Sequence, residues 1–192
     1  MEELCYDDQK RMMEEGIRSF LTGLGLDLSD QHLIRTPERV AKAWLNEFGW
    51  GYTVSEEDVK DILSVDFSEK CDEMIVVKDI PFSSHCIHHM VQFSGTVKIG
   101  YVPKNRVVGL SKLPRILDVY ASRLQIQERL TRQVAEAIQK YLKPIGVGVV
   151  IEATHNCVAC RGVHKPGSKM ITSCLLGDMR NDKPMREEFL SF

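Results

Sequence analysis

Apolar positions change their period near residue 72. Before it they recur every three or four residues. Met13, Ile17, Phe20, Leu21 and Leu24 share a helical face, and Gly23 and Gly25 punctuate its end. Thr36-Pro37-Glu38 predicts an N-cap followed by proline in the first turn, opening a helix whose buried stripe is Val40, Trp44 and Phe48. A short third helix after Ser55 turns Val59, Ile62 and Leu63 inward, and the polar stretch Ser68-Glu69-Lys70 marks a boundary. The expected division is an N-terminal helical region, 1–68, and a second domain, 69–192. From residue 72 the period is two: Met74-Ile75-Val76-Val77 forms one strand, and Phe93, Gly95, Val97, Ile99 and Tyr101 alternate along another. Helices follow from Ser111 to about Ser122 and from Gln127 to Leu142, the second with Leu130, Val134, Ile138 and Leu142 on one face. Val147–Ala153 and Met170–Leu176 return to strands. This order predicts an α+β fold, an antiparallel sheet with two helices packed on one face.

Length and composition fit that picture. The chain has 192 residues, 43% hydrophobic and 27% charged, enough to bury a core and unlike disordered or low-complexity proteins. No apolar run approaches the roughly 20 residues of a membrane helix, and Met1-Glu2-Glu3-Leu4-Cys5 lacks the layout of a secretory signal, so a cytoplasmic location and no membrane partner are expected. The net charge of −2 argues against a nucleic-acid partner. Charge is unevenly spread, however: residues 98–130 hold seven bases against two acids, a pattern that suits a small anionic ligand.

Six cysteines in a chain without a secretory signal point to metal or burial rather than a disulfide framework. Cys86 lies among His85, His88 and His89, while Cys157 and Cys160 follow His155. Soft sulfur with imidazole is what zinc prefers. Spacing alone does not choose the histidine: on an extended backbone Cys86 and His88 share a side, so a metal taking Cys86 and His89 needs the chain to turn between them. Three arrangements remain open: a closed site that includes Cys160 and staples the sheet, a three-ligand site with a vacant corner, and burial without metal. More histidines than ligands favours the second, because hydrolysis needs imidazoles to move protons beside the metal.

Two helix starts share a design. Thr36 precedes Arg39 and Lys42, and Ser111 precedes Lys112 and Arg115; cations three apart share a face, and a helix N-terminus offers free N–H groups to phosphate. Glu128, at the start of the Gln127 helix, reads as a first-turn acid that complements the helix dipole or, if buried, as an acceptor for two N–H groups of a guanine-like ring. The segment from Arg161 to Ser168 has turn chemistry around two cations, suiting a loop beside an anion.

These strings resemble GTP cyclohydrolase I: Thr36-Pro37-x-Arg39-Val40-Ala41-Lys42, Cys86-x-His88-His89, Gly109-Leu110-Ser111-Lys112-x-x-Arg115, Gln125-x-Gln127-Glu128-Arg129, and His155-x-Cys157-x-x-x-Arg161-Gly162. The resemblance implies a tunnelling fold, a toroidal homodecamer with active sites shared between subunits, and hydrolysis of GTP to 7,8-dihydroneopterin triphosphate and formate. It implies zinc on Cys86, His89 and Cys157, proton transfer by His88 and His155, and guanine bound by Gln127 and Glu128. The triphosphate would lie against Arg39, Lys42, Ser111, Lys112, Arg115 and Arg161. Ile87 stands where the family usually has glutamate, Gln92 where it usually has proline, and Cys160 where methionine is common. The alternatives are a divergent tunnelling-fold enzyme acting on a related purine or pterin, and a zinc-stapled binding protein without turnover.

Overall fold

The computed structural model describes residues 4–64, 66–67, 71–104 and 106–192, which fall into two compact units, Met1–Trp50 and Gly51–Phe192.

In the first unit, α1 (Tyr6–Gly23) ends where predicted, and Gly25 supplies the left-handed turn at φ 75°. Only Leu21 of the α1 apolar face is buried; Phe20 and Leu24 are each about 60% exposed. The second helix, α2 (Thr36–Ala43), starts one residue earlier than expected. The chain already turns through Leu33–Arg35, so Arg35 takes the cap position, and the Thr36 hydroxyl donates back to the His32 carbonyl at 3.4 Å instead of capping. Its inward stripe is Pro37 and Ala41, with Val40 and Trp44 half-buried and Phe48 exposed. The helix widens to a π-turn over Trp44–Phe48, so the 3.6-residue spacing on which the predicted stripe rests does not hold through Phe48.

The second unit begins with α3 (Glu56–Ser64), read from the sequence as part of the N-terminal region. Ser55 and Asp58 cap it reciprocally: the Asp58 carboxylate accepts from the Ser55 N–H at 2.9 Å, and the Ser55 hydroxyl from the Asp58 N–H at 3.2 Å. Val59 and Leu63 are buried. The boundary expected at Ser68-Glu69-Lys70 lies outside the described residues. After β1 (Asp66–Phe67) come the long hairpin strands β2 (Ile75–Cys86) and β3 (Gln92–Val102). A bulge at Asp79, φ 59°, resets the β2 alternation so that Ile80, Phe82, Ser84 and Cys86 point inward. β4 (Val107–Val108) pairs with β1. The helices α4 (Lys112–Ala121) and α5 (Gln127–Leu142) flank β5 (Leu124–Gln125) and match expectation nearly to the residue. β6 (Gly146–His155) and β7 (Met170–Gly177) complete a five-stranded sheet in the order β5-β2-β3-β6-β7, antiparallel except for the short β2–β5 pairing. Leu113, Ile116 and Leu117 of α4 and Leu130, Val134 and Ile138 of α5 are fully buried, as are Phe93, Val97, Ile99, Val147, Val149 and Ile151 of the sheet.

Beyond α6 (Asn156–Ala159), two further helices were not foreseen, α7 (Asp178–Asn181) and α8 (Lys183–Ser191). They add a second small core of Val102, Met179 and Phe189 with Met74, Val76, Val150 and Leu175, so helices do not pack on one face alone. Phe189 lies where side chains at Gly100 and Gly148, register partners on β3 and β6, would otherwise stand: a Cβ on either would come within 2.7 Å of its ring.

Candidate active site

Cys86 ends β2, and the next four residues fold the turn that an extended reading forbids. The Met90 N–H donates to the Cys86 carbonyl at 2.7 Å, the Cys86 N–H to Val91 at 3.0 Å, and Met90 adopts a left-handed φ of 54°. This tight turn swings His89 back to the side of Cys86. From the neighbouring hairpin β6 ends at His155, and the chain enters the α6 turn that carries Cys157, so the two residues lie on different elements. The ligand atoms of Cys86, His89 and Cys157 all lie within 4.8 Å of one another. A tetrahedral zinc with bonds of about 2.0 to 2.3 Å needs donor separations of about 3.5 to 3.8 Å, so the three fit it with small side-chain adjustments. Burial and the facing Cys86 sulfur push the Cys157 thiol up, the direction that a divalent cation opposes. Cys160 turns away and donates to the Asn156 carbonyl.

Two further imidazoles stand nearby. His88 is exposed, with Nδ1 3.7 Å from the Cys86 sulfur. His155 is half-buried and stacked on Phe93, its register partner across β3 and β6, with ring centroids 4.5 Å apart and planes 5° from parallel. Burial holds His155 below the ordinary imidazole value, opposed by the negative charge of Glu128. Gln127, the first residue of α5, is buried and meets His155 Nε2 through its side-chain oxygen at 2.7 Å. Glu128 beside it is exposed.

The groups expected at a triphosphate lie on several elements. Arg161 is exposed in the loop after α6, close enough to Cys157 to favour its thiolate. That loop turns through Gly162, His164 and Gly167, all at positive φ. Ser111 occupies the N-cap position of α4 without a side-chain cap, and Lys112 and Arg115 follow in a first turn with no acid. Arg39 and Lys42 lie on α2 of the first unit, where Lys42 is held by Glu38 at 2.7 Å.

Sequence reading gave the ligand types and missed the supports. The stack of His155 on Phe93 and the Thr131–Thr172 contact have no signature in the sequence, because both depend on strand register. No helix among the described residues is long and apolar enough to cross a membrane.

A family model described as GTP cyclohydrolase I matches residues 13–192. The chain is 46% identical over 185 residues to the GTP cyclohydrolase 1 of Wolinella succinogenes, covering 96% of this chain and 97% of that protein. It is 51% identical over 174 residues to that of Homo sapiens, covering 90% and 68%. With that of Drosophila melanogaster it shares 50% identity over 179 residues, covering 93% of this chain and 54% of the fly protein, about half its length.

Proposed function

The chain belongs to the GTP cyclohydrolase I family and carries its hydrolase function, and we propose that it converts GTP and water to 7,8-dihydroneopterin triphosphate and formate with a zinc ion held by Cys86, His89 and Cys157. The observation that carries this reading is the convergence of those three donors beside His155. Two sulfurs and an imidazole suit zinc, and three side chains rather than four would leave it able to hold a water. When bound, zinc lowers the pKa of such a water to about 7 and supplies a nucleophile at neutral pH. The remaining work falls to side chains. His88 and His155 move protons to and from the purine ring nitrogens as the five-membered ring opens and formate leaves. Glu128, exposed at the start of α5, accepts N–H groups of the guanine, and the resemblance sets Gln127 beside it. Ser111, Lys112 and Arg115 at the α4 start, with Arg39, Lys42 and Arg161, hold the triphosphate.

The same reading makes the protein a homodecameric ring with sites shared between subunits, acting in the cytoplasm at the entry to folate and other pterin synthesis. The uncovered α1 residues Phe20 and Leu24 support an assembly that buries them. The test is incubation of zinc-loaded protein with GTP and identification of products by mass. Formate and the pterin triphosphate are expected, and both should vanish on chelation. A product that retains formate reduces the activity to ring opening, and unaltered GTP overturns the proposal.

A further inference from the structure

We infer that Gln127 is a positioning residue that holds His155 as its Nε2–H tautomer, leaving Nδ1 as the one ring atom of His155 free to take up or deliver a proton. The inference rests on the reading of His155 as a proton-transfer group and reassigns Gln127 from the guanine to that imidazole.

The orientation of the amide follows from its neighbours. Gln127 is 1% exposed. One end of its amide lies 3.1 Å from the Ile151 carbonyl, 3.0 Å from the Met170 carbonyl and 3.1 Å from the Thr172 hydroxyl. Carbonyl oxygens only accept, so that end is the NH2 group, its two protons shared among three acceptors. An amide turned the other way would face its oxygen against two carbonyl oxygens in a buried site. The hydroxyls agree. Thr131 donates to the Gln127 backbone carbonyl at 2.7 Å, so it accepts from Thr172 at 2.6 Å, which leaves a Thr172 lone pair for the Gln127 NH2 group.

The amide oxygen is thereby committed to the other side, 2.7 Å from His155 Nε2. An amide oxygen cannot donate, so Nε2 carries the proton, and in the neutral ring Nδ1 keeps its lone pair. Stacking on Phe93 fixes the plane of the ring, so tautomer and orientation are set together. With every polar atom of the Gln127 side chain engaged within the fold, a direct contact with guanine would have to break one of these bonds.

Histidine-selective 15N NMR of the full chain tests this without turnover. The His155 pair, assigned by its loss in His155→Asn, should show a protonated Nε2 and an unprotonated Nδ1; the opposite pattern overturns the inference whatever the protein does to GTP. In Gln127→Leu the Nε2–H population should fall to that of free histidine, and kcat should fall about 10²-fold with KM for GTP within about twofold of the parent. A KM rise at unchanged kcat returns Gln127 to guanine binding and overturns the inference. Should Gln127→Leu fail to fold, the spectrum of the parent protein still decides. A parent with the Nε2–H pattern that leaves GTP untouched sinks the activity and not the tautomer.

Discussion

The paired strands β3 and β6 end in opposite ways. At one end Gly100 and Gly148 strip the sheet to backbone, and Phe189 fills the notch with a fully buried ring. At the other, Phe93 and His155 stack, the ligand atoms of Cys86, His89 and Cys157 converge within 4.8 Å of one another, and His88 and Glu128 are exposed. One end is complete within the chain. The other gathers thiols and imidazoles, and the contrast separates an end closed by packing from an end built of polar, reactive groups.

The largest effect should come from removing a convergent donor. Cys157→Ala is expected to lose bound zinc and to cut GTP turnover on the order of 10³-fold or more. Its melting temperature should equal that of the chelated parent, because only metal-linked stability is lost. Metal analysis and calorimetry check this; a variant that keeps one equivalent of zinc would mean that Cys160 or another group holds the ion.

At the closed end the sign reverses. Phe189→Ala should cost about 3–5 kcal/mol of folding stability through the cavity it leaves, with zinc content unchanged. Gly148→Ala drives a methyl into the Phe189 ring, 2.5 Å from its nearest atom, and should cost about 1–3 kcal/mol. In the Phe189→Ala background that penalty should disappear, a coupling that urea denaturation of the four proteins would measure. If either change at this end lowers zinc affinity, the two ends are not independent.

These two ends differ in how far the sequence discloses them. α5 was legible to the residue because Leu130, Val134, Ile138 and Leu142 repeat without interruption and all lie inside one chain. The ligands were legible because thiol and imidazole are scarce and carry their chemistry in their type. What stayed hidden depends on distant neighbours. The hairpin turn at His88–Met90 and the α6 turn beneath Cys157 decide which histidine faces the sulfurs, and spacing cannot express either. α8 carries a readable start, Asp182 accepting from the Met185 N–H with Pro184 in the first turn, yet its apolar content is slight and only Phe189 is buried. The face of α1 reads as buried and is not, because one chain supplies no cover for Phe20 or Leu24.

The smallest effects concern the two helix starts, which looked alike in sequence and differ in their partners. Lys112 and Arg115 have no ion pair among the described residues, so Lys112→Ala should leave stability within about 0.5 kcal/mol while raising KM for GTP about tenfold, the loss of one charged phosphate contact. Lys42 instead sits on Glu38, whose carboxyl is held down from 4.5 to about 2 by Lys42 and then Arg35. A carboxylate depressed in the folded state adds stability above its unfolded value, and that contribution is lost as pH falls from about 4.5 toward 2. Because Glu38 lies at the surface and stays partly accessible to water, the effect should be slight and screened by salt. The informative readout is the Glu38 titration itself, followed by NMR. Lys42→Ala should move it up toward the ordinary carboxylate value. Saturating GTP should do the same if the triphosphate draws Lys42 away, and a Glu38 titration indifferent to GTP would remove Lys42 from the phosphate site.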